Sequence, residues 1–133
     1  MNDQEIAQLL STARTIAVVG LSANPDRPSF GVAQYLQSKG YRILPVNPTI
    51  DSVLGEKSYA SLAEIPDTVD IVDVFRRPEF VPALAEEAIA IGARCLWLQL
   101  GVIHEEAGRR ARDAGLLVVM DRCLAVERLR LAG

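Results

Sequence analysis

The stretch Thr15–Gly31, T-I-A-V-V-G-L-S-A-N-P-D-R-P-S-F-G, decides how the rest of the chain is read. Ile16, Ala17, Val18 and Val19 form a continuous apolar run, the pattern of a strand buried on both faces of a parallel sheet. Gly20 ends the run, and the small, polar and proline residues from Leu21 to Pro28 continue no regular element. Ser29 stands where a helix N-cap is wanted, with Val32, Ala33 and Leu36 at the spacing of an amphipathic helix. Strand, glycine, loop and helix N-terminus make an arrangement suited to phosphate. A residue without Cβ lets the backbone come close, and the first N–H groups of the helix point at the anion.

The pattern departs from the usual dinucleotide fingerprint. G-x-G-x-x-G would place glycines at 22 and 25, where this chain has Ser22 and Pro25. The acid that holds an NAD ribose belongs near the end of the second strand, and that strand, expected over Tyr41–Val46, ends at Asn47. An amide hydrogen-bonds a ribose without repelling a phosphate on it. Taken alone, the loop is equally an ordinary βα connection.

Outward from this stretch the chain alternates helix and strand. Asp3 is placed to cap a first helix over 3–13, whose inner face is Ile6, Leu9, Leu10 and Ala13. The helix after Ser29 runs to Lys39, with Gly40 as its stop. Turn residues surround Gly55, and a short helix is expected from Tyr59 to Glu64, ended by Pro66. A third strand is expected over Val69–Phe75. Pro78 opens the next helix, whose regular part Pro82 delays, with Leu84, Ala85, Ala88 and Ile89 facing inward. A fourth strand covers Cys95–Leu98. The helix from His104 to Ala114 buries only Ala107, Ala111 and Ala114, so it lies close to the sheet. Leu116–Met120 is the fifth strand, after which Asp121 caps a last helix with Leu124 and Leu129 inside. The expected architecture is α/β: a doubly wound five-stranded parallel sheet, Rossmann-like, with order 3-2-1-4-5 and helices on both faces. Residues 1–133 read as a single domain.

With 133 residues, half of them apolar, the chain can bury a sizeable core without disulfides. A net charge of −3 offers no electrostatic footprint for nucleic acid or an anionic membrane. No apolar run approaches the roughly 20 residues of a membrane span. The first ten residues are acidic and amphipathic, unlike a signal peptide. Cys95 and Cys123 lack metal-ligand spacing, so no metal is expected and a reduced, cytoplasmic setting is.

In doubly wound sheets, ligands bind outside the carboxyl ends of the strands where the strand order reverses. That rule selects Gly20–Ser29, Val46–Pro48, Phe75–Arg77, Gln99–Gly101 and Asp121–Cys123. Within these segments stand A-V-V-G-L-S (17–22), R-P-S (27–29), P-V-N-P (45–48), D-V-F-R (73–76), W-L-Q-L-G (97–101) and M-D-R-C (120–123). In this order and spacing, across Thr15–Leu129, the chain resembles the small stand-alone CoA-binding proteins related to the CoA-binding domain of succinyl-CoA synthetase α-subunits.

The resemblance implies coenzyme A, or an acyl-CoA, lying across the carboxyl edge. Gly20, Leu21, Ser22 and Ala23 would offer backbone to the pyrophosphate, with Ser29 and Phe30 at the helix N-terminus. Val46, Asn47 and Pro48 would border the ribose, where CoA's 3′-phosphate makes an acid harmful and Asn47 acceptable. Arg27 or Arg76 would pair with a phosphate, Phe75 would lie against the adenine, and the backbone of Gln99, Leu100 and Gly101 would face the pantetheine arm. Cys123, near a helix N-terminus beside Arg122, has the setting of a thiolate able to form a mixed disulfide with CoA; simple packing is the plainer reading.

Other residues have plain structural readings. Arg76 and Arg77 fit a solvated pairing with Glu79, Asp73 an edge strand facing water, Trp97 and Cys95 the core, and His104 the surface. The synthetases need a phosphorylated histidine on a second domain and an ATP-binding partner, and neither is in this sequence. The sole histidine has no evident nucleophile partner, and Glu86–Glu87 and Glu105–Glu106 are adjacent pairs on solvated helix faces. The expected function is a non-catalytic carrier, sensor or accessory module. An NAD(P)-binding redox domain and a ligand-free protein-interaction module are the alternatives. A homodimer and a partner enzyme are both compatible with the sequence, which decides neither.

Overall fold

In the computed structural model, which describes residues 1–131, the five apolar runs become five strands of one parallel sheet. In chain order the elements are α1 (Asp3–Thr12), β1 (Thr15–Val19), α2 (Pro28–Ser38) and β2 (Arg42–Val46). A small hairpin follows, β3 (Ser52–Val53) and β4 (Glu56–Lys57), then β5 (Ile71–Val74) and α3 (Val81–Ala90). The chain ends with β6 (Cys95–Leu98), α4 (Glu105–Asp113), β7 (Leu117–Val119) and α5 (Leu124–Leu131). The hairpin stands where the sequence shows only turn residues. The helix expected over Tyr59–Glu64 is a single 3-10 turn, Leu62–Glu64. Another 3-10 turn, Pro78–Phe80, precedes α3, consistent with the delay expected from Pro82.

The doubly wound parallel class is the one expected, but one strand lies elsewhere. The order is β2-β1-β5-β6-β7, or 2-1-3-4-5 counting sheet strands only, rather than 3-2-1-4-5. The reason is visible at Pro45. Its carbonyl accepts from the Tyr59 N–H on the outer side of β2, at 2.9 Å. A strand residue directs its N and its C=O to the same side, so the missing Pro45 N–H also faces outward. A third strand there would find no donor at Pro45, which suits proline to an edge. One bridge at Tyr59 covers this side, and β5 pairs with β1 instead, Ile16 opposite Ile71.

Each face of the sheet carries its own core. Ala17, Val19, Val72, Val74, Leu96 and Leu98 pack beneath α3 and α4. Ile16, Val18, Ile43, Ile71, Cys95 and Trp97 pack beneath α1, α2 and α5. Burial of each such aliphatic side chain contributes about 1.5–3 kcal/mol. Of the alanine face expected on α4, Ala107 and Ala111 are buried with Gly108 beside them, whereas Ala114 is exposed because it lies past the helix end, and the buried part lies close to the sheet. A Cβ on Gly108 would sit 2.0 Å from Met120 Cε.

Helix ends differ in detail. Asn2, not Asp3, caps α1, in a capping box with Glu5. Asp3 instead pairs with Arg130, binding α1 to α5. Leu124 is buried as expected, but Leu129 is 66% exposed, because α5 turns its Leu124–Glu127 face inward.

Asp73 is the larger correction. It lies on β5 between Val18 and Trp97, in the middle of the sheet, and is fully buried rather than facing water. Neither carboxyl oxygen has a hydrogen-bond partner among the described residues. Burial pushes its carboxyl well above the usual carboxylate range. In the unfolded chain this group ionises near about pH 4. Above that pH the folded state binds more protons than the unfolded one, so this residue lowers stability as pH rises toward the folded pKa. Asp73→Asn cannot ionise. Its stability relative to the wild type is therefore expected to increase with pH from about 4 upward, by up to about 1.4 kcal/mol per pH unit. Urea unfolding of both proteins across this range measures it; a pH-independent difference would contradict the assignment.

Candidate functional site

The strand order sets the switch point between β1 and β5, since the chain leaves β1 toward β2 and returns to β5 on the other side. Gly20 stands there. Its φ is +86°, and its N–H donates to the Val46 carbonyl at 2.9 Å. A Cβ on Gly20 would lie 2.5 Å from the Phe75 carbonyl oxygen and 3.0 Å from Arg76 Cδ. Only glycine leaves this space open, and the φ favours it independently.

The loop after Gly20 holds itself. Leu21 is fully buried and plugs the core. The Ser22 N–H donates to Ser29 Oγ at 3.0 Å, and the Asn24 N–H donates to Ser22 Oγ at 3.0 Å. The Asp26 N–H donates to Asn24 Oδ1 and the Arg27 N–H to the Asn24 carbonyl. Ser29 is thus not the cap expected. Arg27 occupies that position, Pro28 is the first helical residue, and Ser29 is buried in the first turn, reaching back to the loop. At that position its N–H has no intrahelical acceptor.

Two grooves open at this edge. Gly20, Ser22, Arg27, Pro28, Ser29 and Phe75 line one of about 350 Å3. The other, about 200 Å3, is bordered by Val46, Pro48, Arg76, Phe80, Leu84 and Glu87, among others. Arg76 lies over the Phe80 ring, 4.1 Å from its centroid, while the exposed Arg77 pairs with Glu79 at 3.1 Å. Of the expected solvated pairing, only Arg77 takes part. Of the groove residues, Phe80 and Glu87 went unnoticed in the sequence, where Pro28 reads only as part of R-P-S and Leu84 as the inner face of a helix. An aromatic three residues after the Arg76–Arg77 pair at the end of a strand was the available signal.

The remaining predicted residues are placed differently. Asn47 Nδ2 donates to the Leu21 carbonyl at 3.0 Å, and its Oδ1 accepts from the Thr49 N–H and hydroxyl. Asn47 ties two loops together. Ala23 and Phe30 belong to the same loop and helix turn without lining either groove.

Gln99, Leu100 and Gly101 follow β6 and line neither groove. Gln99 Oε1 accepts from the Leu124 N–H at 3.0 Å, supplying α5 with the acceptor expected of Asp121. Asp121, with φ +58°, accepts from the Gly101 N–H at 2.7 Å. Trp97 is core, as its plain reading holds, and its Nε1 donates to the Arg122 carbonyl. Cys123 is half-buried and also lines neither groove, whereas burial pushes the Cys95 thiol pKa up. His104 caps α4, its Nδ1 accepting from the Ala107 N–H at 3.1 Å.

Gly20→Ala tests the cradle directly. The added Cβ meets a backbone carbonyl in a backbone conformation that already costs about 1–3 kcal/mol for a side chain. Denaturant unfolding is expected to show a loss of at least that size; a variant as stable as the wild type would refute the close approach.

Residues 14–128 match a family model described as a CoA binding domain. The uncharacterised protein YneT of Bacillus subtilis is 48% identical over 122 residues, spanning 92% of this chain and 90% of that protein. The α subunit of ADP-forming acetate–CoA ligase II from Pyrococcus furiosus is 36% identical over 124 residues, 85% of this chain but 27% of the subunit. Among solved structures, a hypothetical protein from Pyrococcus horikoshii OT3 superposes with a TM-score of 0.96 at 39% identity, covering 100% of this chain and 94% of that one. The match extends over nearly all of one relative and about a quarter of the ligase subunit. The chain belongs to the CoA-binding domain family.

Proposed function

We propose that the protein binds coenzyme A, or an acyl-CoA, along the edge formed by the carboxyl ends of β2, β1 and β5, and acts as a non-catalytic carrier, sensor or accessory module. The observation that carries this reading is the Gly20 cradle at the switch point, which a Cβ would fill. Pyrophosphate would approach the backbone at Gly20 and Ser22, with Arg27 supplying charge and the Ser29 N–H a donor. Arg76, at the rim of the second and mainly apolar groove, would meet the 3′-phosphate, with adenine against Phe75 or Phe80. The pantetheine arm would continue toward Gln99–Gly101. CoA supplies a thiol that carries acyl groups as thioesters; in this reading the chain's own residues hold and orient it.

The end of β2 supports CoA over NAD. It carries Asn47 where an NAD site wants a carboxylate on the ribose, and the groove at Gly20 supplies a cation for phosphate. Native mass spectrometry and thermal shift with CoA, NAD and ADP discriminate the readings. CoA is expected to bind one to one and, at a hundred times its Kd, to stabilise by about 2.7 kcal/mol. NAD is expected to do neither, and NAD binding without CoA binding would overturn the proposal. Arg27→Ala, an exposed change, is expected to weaken CoA by roughly tenfold without altering stability, as loss of one charge-assisted contact requires.

A further inference from the structure

A spacious hollow lies at the opposite, amino edge of the sheet. It measures about 800 Å3, and among the residues that line it are Leu10, Arg14, Lys39, Tyr41, Arg42 and Arg128. The chain as a whole has 14 basic and 17 acidic residues, yet this lining contains four cations and no acid. They come from four separate segments: the link before β1, the end of α2, the start of β2, and α5.

Their local partners leave charge uncompensated. Arg42 pairs with Asp67. Asp70, which accepts from the Arg14 and Thr15 N–H groups, is itself balanced by Arg94 at 3.8 Å. Among the described residues, Arg14, Lys39 and Arg128 have no carboxylate within salt-bridge distance. The α1 and α2 helices end here, each presenting about half a negative charge. Four cations against one carboxylate and two helix ends leave a surplus of about two positive charges.

One of these cations is held by a built network. Tyr41 is nearly buried, its hydroxyl donates to the Leu10 carbonyl, and Arg128 Nε donates to the same hydroxyl at 3.1 Å. The Arg128 guanidinium also lies over the Tyr41 ring. A hollow of this size is within the range of small-molecule sites. We propose that it binds a small phosphorylated compound carrying two or more negative charges, independently of the carboxyl edge.

The probe is pyrophosphate, titrated into the full-length 15N-labelled chain with and without saturating CoA. Amide shifts are expected at residues 10–15, 39–42 and 128 under both conditions. The double variant Arg14→Gln/Lys39→Gln changes two exposed side chains and is expected to weaken this binding by roughly tenfold or more. Shifts confined to residues 20–30, no shifts at millimolar pyrophosphate, or undiminished binding by the double variant would each overturn the proposal. Failure of CoA to bind would instead count against the reading of the carboxyl edge.

Discussion

The close approach of Gly20 to the Phe75 carbonyl is the constraint on which the site depends. Because β5 lies beside β1, the chain leaving β1 must pass over the end of β5, and only backbone fits there. The turn drops Leu21 into the core and brings Ser22 to Ser29, so that α2 begins immediately beside the switch point. Asn47 then locks the loop after β2 onto the same turn. The result is an edge whose loops are tied to one another by hydrogen bonds.

The two halves of the carboxyl edge are built differently. Around β1 and β5 the loops leave grooves between them. Around β6 and β7 they are stitched together by bonds from Gly101 to Asp121, Leu124 to Gln99, and the Trp97 indole to Arg122. The Gln99 side chain holds the start of α5, and Asp121, which reads as a cap in the sequence, instead ties the loop after β7 to the loop after β6. Beneath this edge Asp73 keeps a carboxyl in the apolar core without a partner among the described residues, an unfavourable arrangement on stability grounds alone. The surrounding packing on both faces must outweigh it.

Much of the fold was legible because local rules act over short distances. Apolar runs marked the five strands, glycines marked the helix ends, and alanine spacing placed α4 close to the sheet. Misreadings fell where a residue's partner is remote in sequence. Ser29 and Asp121 have the chemistry of caps, but Ser22 and Gly101 claim their oxygens. The Asn47 amide likewise bonds Leu21 and Thr49, which sequence spacing does not reveal. Asp73 reads as solvent-facing only if its strand is an edge, and its strand is central.

By itself, the sequence determined the doubly wound class, the strand–glycine–loop–helix unit at residues 15–31 and the family resemblance. Each of these is written in contiguous residues or in the order of short motifs. Tertiary structure alone decided the strand order, the burial of Asp73, the shape of the two grooves and the convergence of Arg14, Lys39, Arg42 and Arg128. Periodicity tells a strand that it will be buried but not which neighbour will pair with it. That choice rests on which side of β2 the blank nitrogen of Pro45 faces, and a backbone side exists only once the sheet has formed.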